Sequence, residues 1–102
     1  GATLTMLSVR HTGAARWDVQ WERLAPGGTS IANDSFAAAQ SATTTVNGNA
    51  NVVTRTSITF TQAQADAVAA GDAFRLRVIR DANHADDTLA ADALVLRLKV
   101  RQ

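Results

Sequence analysis

The sequence contains no cysteine, no tyrosine and a single proline, and aromatic residues make up 5% of its 102 positions. Without cysteine there are no disulfides, thiolate metal sites or cysteine nucleophiles. No apolar run approaches the roughly 20 residues that a bilayer-spanning helix needs. Neither sign of charge dominates: ten basic residues stand against nine acidic ones, for a formal charge of +1. That balance excludes a nucleic-acid footprint built on bulk charge, so neither nucleic acid nor membrane is an expected partner. Catalytic signatures are missing too. There is no Gly-x-Ser-x-Gly elbow, and no Lys-Ser or Lys-Thr follows Gly27-Gly28 to make a phosphate loop. No basic stretch leading into an apolar one marks a signal peptide. The expectation is a non-enzymatic chain without catalytic residues, cofactor or resident metal.

What is present is alternation. The length supports a single domain over residues 1–102. Trp17, Val19 and Trp21 share one parity, with Arg16, Asp18, Gln20 and Glu22 on the other. Successive side chains of a strand point to opposite sides, so this reads as a half-buried strand. Phe74, Leu76 and Val78 alternate with Arg75 and Arg77, and Leu94, Leu96, Leu98 and Val100 alternate with Arg97, Lys99 and Arg101. Thr54, Thr56, Ile58 and Phe60 form a weaker series. Thr3–Val9 is a strand whose parity slips between Met6 and Leu7, which a bulge would reconcile. Trp17, Trp21, Phe74, Leu76, Leu96 and Leu98 are the expected core. Asn47-Gly48 predicts a tight hairpin joining Thr43–Val46 to Asn51–Thr56, and Ala37–Ala42 reads as a loop or edge strand. The fold class is all-β: an antiparallel sandwich.

One segment departs from period two. Residues 61–70 are rich in alanine and glutamine. Thr61 and Gln64 stand at capping-box positions, Phe60 can pack on Ala65, and Gly71 can end a helix in the left-handed conformation. A short helix is predicted there.

The connection Asp81–Asp92 gathers Asp81, Asn83, His84, Asp86, Asp87 and Asp92. Such oxygens can bind Ca²⁺, but the spacing is not that of an EF-hand loop, and a loop whose Asx side chains bond local backbone N–H groups is the favoured reading, with no bound Ca²⁺ expected. His11 and His84 lack the spacing of a zinc site. Arg80 can instead form a bidentate pair with Asp87 or Asp92, pinning the connection without a metal. Arg75, Arg77, Arg97, Lys99 and Arg101 fall on the polar faces of two strands. If those strands pair, they make one cationic interaction stripe for an anionic partner; cross-strand ion pairing with Asp18 and Glu22 is the structural alternative.

Two stretches resemble a known family. Arg16–Arg23 is similar to the Trp-x-Val-x-Trp-Glu strand of small β-domains in structural proteins of tailed bacteriophages. Gly71–Asp81 followed by Asp86–Ala93 resembles the Gly-Asp…Arg-Leu-Arg-x-x-Arg-Asp…Asp-Thr…Gly-Asp-Ala pattern of the same domains, with Ala91 where the pattern has glycine. The resemblance implies a jelly-roll-like sandwich and a place in the virion, as capsid decoration or as a head or tail fibre component. It also implies assembly with other virion proteins, commonly as a homotrimer. A carbohydrate- or receptor-binding module, with a glycan receptor as partner, is the alternative. The uncharged stretch Ala37–Val46 is the expected contact between chains or with the capsid, since exposed strand edges ordinarily carry charge or proline.

Overall fold

The computed structural model describes residues 2–9, 13–44, 52–89 and 93–101. Among them run six strands: β1 (Ala2–Val9), β2 (Arg16–Leu24), β3 (Gln40–Thr43), β4 (Thr54–Phe60), β5 (Ala73–Arg80) and β6 (Leu94–Arg101). They form two antiparallel three-stranded sheets, ordered β4-β1-β6 and β3-β2-β5. The alternating segments are strands because each carries one apolar face, and the two sheets bury those of β1, β2 and β4 against each other. Leu4, Ile58 and Phe60 of the β1 sheet pack in one cluster with Val19 and Trp21 of the β2 sheet. Trp21 sets its ring edge-on to Phe60 at 5.4 Å. A second cluster joins Met6, Ala15, Trp17 and Leu89.

Four sequence expectations need correction. First, β3 and β4, the described strands on either side of the predicted hairpin, belong to different sheets and do not pair with each other. Asn47-Gly48 itself lies outside the described residues. The two strands nevertheless approach at this corner, where the Trp17 indole N–H donates to Thr44 Oγ1 at 2.7 Å and Thr44 Oγ1 meets Thr56 Oγ1 at 3.1 Å. Buried hydroxyls and an indole N–H satisfied in this way hold the corner shut.

Second, no helix forms over residues 61–70. The capping box is present: Gln64 N–H donates to Thr61 Oγ1 and Thr61 N–H to Gln64 Oε1. One turn later Asp66 and Ala67 adopt φ of 53° and 56°. Ala67 N–H then bonds Gln62 C=O at 2.8 Å and Asp66 N–H bonds Ala63 C=O at 3.2 Å, the pairing that closes a helix end. Aspartate tolerates the left-handed region better than most residues. Here its carboxylate also accepts Arg23 N–H at 2.9 Å, fixing the turn to the end of β2. That tertiary bond overrides the helix preference of the alanines. Gly71 does take a positive φ of 87°, but in the turn before β5.

Third, β1 keeps its parity. Leu4, Met6 and Ser8 are buried while Leu7 joins the outer face. The irregularity lies in β6, where the register moves from Leu7↔Arg97 to Ser8↔Val95 and leaves Leu96 as the extra residue.

Fourth, the expected core is half right. Trp17 and Trp21 are buried and Leu76 is partly buried, but Phe74, Leu96 and Leu98 are 36%, 56% and 44% exposed. Phe74 still lies against Trp21, with ring centres 4.6 Å apart. The cause is the uneven meeting of the sheets. Cα atoms of β3 and β4 come within 8 Å of each other, whereas none of β5 does so with β6. The sandwich is closed along one long edge and open along the other.

Candidate functional site

The two sheets differ in what their outer faces carry. On the β2 sheet the register sets Glu22 opposite Arg75 and Gln20 opposite Arg77. Glu22, the sole glutamate of the chain, is buried. Its carboxylate accepts Arg75 Nε–H at 2.9 Å and Ser35 N–H at 2.6 Å. The bond from Arg75, followed by that from Ser35, holds the Glu22 carboxyl below its ordinary range; the same bond raises Arg75 above its own. Asp34 accepts from Arg75 Nη2 at 3.2 Å and lies 3.6 Å from Arg77 Nη1. Both guanidinium groups stack over the Phe36 ring, at 4.7 and 4.3 Å from its centre. The segment carrying Asp34, Ser35 and Phe36 is thereby folded across this face. The cations here are paired with carboxylates and rest on the Phe36 ring.

A second node ties the long connection after β5 to the start of β2. Trp17↔Arg80 pairing points Arg80 to the inner side. Its guanidinium donates to both oxygens of Asp87, at 3.0 and 2.8 Å, and to Leu89 C=O at 2.7 Å. Asp87 also accepts Arg16 N–H at 3.0 Å. These bonds, Arg80 first, bring the Asp87 carboxyl down to about 2. Thr88 and Leu89 donate their N–H groups to Ala14 C=O. Gly13 is required beside them, because a Cβ there would stand 2.8 Å from Thr88 O. Asp92, the other carboxylate considered for Arg80, lies outside the described residues. No group of three or more carboxylate or histidine side chains converges among the described residues.

On the outer face of the β1 sheet, Arg97, Lys99 and Arg101 of β6 line a cleft of about 400 Å³ together with Arg55, Thr5 and Ser57. The register sets Leu7 between Arg97 and Arg55, and Thr5 between Lys99 and Ser57. No carboxylate pairs with these four cations among the described residues. The reason is in the sequence: β1, β4 and β6 contain no acidic residue.

The five-residue stripe expected from the sequence is therefore divided. Arg75 and Arg77 lie in one sheet, Arg97, Lys99 and Arg101 in the other, and β5 does not pair with β6. Sequence reasoning passed over Arg55, which joins the second group only once β4 is known to flank β1. It also passed over the open edge. Inner-side residues Phe74, Leu98 and Val100 remain exposed along it, and a slot of about 180 Å³ between Val100, Phe74, Val68 and Trp21 runs into the core. No known protein family, curated protein or solved structure matches the chain.

Proposed function

We propose that this chain is a non-enzymatic structural module of a bacteriophage particle, a small relative of the jelly-roll sandwich that works by association with copies of itself and with other virion proteins. The observation that carries the reading is the open edge between β5 and β6. Phe74, Val95, Leu98 and Val100 leave there an apolar strip that a monomer would hold in water. Contiguous exposed apolar surface of this kind marks a protein contact. The occupant is a second copy. Strand addition at the free edge of β6 is disfavoured, because it would set Arg97, Lys99 and Arg101 of two copies side by side on one face. Apposition of the open edges buries the strip without that repulsion, and three such edges converging on an axis give a closed trimer.

The resemblance to phage β-domains adds to this. Its strand Arg16–Arg23 is the central strand of one sheet, and its Arg80 and Asp87 form the pair that anchors the last long connection. Ring-based sugar binding has less to stand on: Trp17 and Trp21 are buried and Phe36 is covered by two guanidinium groups. Gold-labelled antibody against the chain, applied to particles released by the cells that encode it, tests the assignment. Label on intact particles is expected; label confined to debris or to the cells would overturn it.

A further inference from the structure

We propose that the outer face of the β1 sheet binds a linear, carboxylate-bearing polysaccharide laid along β6. This inference goes beyond assembly and uses the face turned away from the apolar edge, so either can fail alone. A near-zero net charge conceals a complete segregation: Arg55, Arg97, Lys99 and Arg101 occupy a sheet whose strands hold no acid. On the other sheet the comparable arginines are satisfied by Glu22 and Asp34. Among the described residues no carboxylate pairs with these four cations, and a cluster of such cations raises the local concentration of anions.

The shape of the cluster selects among anions. Arg97, Lys99 and Arg101 alternate along one strand, so they stand in single file about 7 Å apart. Three of the four cations are arginines, whose planar fork matches a carboxylate or a phosphate through two parallel bonds. Hydroxyl groups lie beside the file. Thr5 Oγ1 and Ser57 Oγ are 3.4 Å apart, as are Thr3 Oγ1 and Thr59 Oγ1. That is long for a hydroxyl pair, which leaves these groups free to turn to the hydroxyls of a sugar. A single nucleic-acid strand is less suited, since the cleft is lined by no aromatic ring on which a base could stack. A protein partner is less suited too: such interfaces have an apolar centre, and the cleft offers Leu7 alone.

The test is calorimetric titration of the intact chain with a polygalacturonate octamer, its fully methyl-esterified form and a 20-base-pair DNA duplex. Binding of the octamer is expected, weakening as salt rises, with the esterified octamer inert. The double variant R97Q/R101Q should weaken binding by about tenfold and flatten the salt dependence by about two charges. R77Q on the opposite sheet should leave affinity within about twofold. All these side chains are partly or fully exposed, and unchanged melting curves exclude misfolding as the cause. Equal binding of the esterified octamer, tighter binding of the duplex, or an R97Q/R101Q variant indistinguishable from wild type would each overturn the proposal.

Discussion

The two long edges of this sandwich are built from the same kind of strand and end in opposite conditions. At the β3/β4 edge, Thr44 and Thr56 sit under the Trp17 indole in a buried chain of hydrogen bonds. At the β5/β6 edge the inner faces are more apolar, yet Leu98 and Phe74 stay exposed. Greater hydrophobicity thus goes with less burial within the chain. On the assembly proposed above, the strand whose apolar side chains find no cover in their own fold is completed from outside, whereas the strand that closes on its own corner uses short hydroxylated side chains that let two backbones approach.

Substitutions can break or sharpen this contrast. The largest effect is expected at the core beneath both edges: Trp21→Ala should cost about 3–5 kcal/mol in a denaturant melt, since Trp21 is buried against Phe60 and Phe74. Asp87→Ala should follow at about 3 kcal/mol, because it removes the carboxylate that pairs with the inward-facing Arg80 and orphans Arg16 N–H. At the closed edge, Thr44→Val removes the acceptor of a buried indole N–H and should cost about 1–2 kcal/mol. At the open edge, Leu98→Ser should cost less than about 1 kcal/mol in dilute solution while weakening association strongly. Equal losses for Thr44→Val and Leu98→Ser would erase the distinction between the edges.

Acid gives an independent handle. The Asp87 carboxyl ionises at about 2 in the folded chain against an ordinary 3.8, and Glu22 is lowered from its ordinary 4.5. The unfolded chain therefore binds more protons in this range. Stability from both carboxylates is complete above about pH 5 and is lost as the pH falls through 4 towards 2. Thermal melts should be flat from pH 5 to 7 and decline below. In Asp87→Asn the decline between pH 4 and 2 should be visibly shallower.

Alternation was a sound guide to which residues share a face, and a poor guide to what covers that face. The parity of Trp17, Val19 and Trp21 holds in the structure, as does that of Leu98 and Val100, although upstream the β6 bulge at Leu96 sets Val95 rather than Leu94 on the inner side. The first set is central in its sheet and the second lies on an edge strand, a difference of strand order that period two does not encode. The acid-free character of β1, β4 and β6 was present in the sequence. It gains meaning only when those three strands are known to be neighbours, which brings Arg55 to Arg97. The failed helix has a similar cause. Local preference favoured it through Ala70, and the bond from Arg23 N–H to Asp66 ended it after one turn.

The central claim is that the open β5/β6 edge is completed by further copies of the chain. Light scattering coupled to size exclusion, on wild type and Leu98→Ser at tens of micromolar, tests it directly. The account predicts a wild-type mass of three times 10.7 kDa and a shift towards the single-chain mass in the variant. A wild type that elutes as one 10.7 kDa species across the concentration range would contradict it.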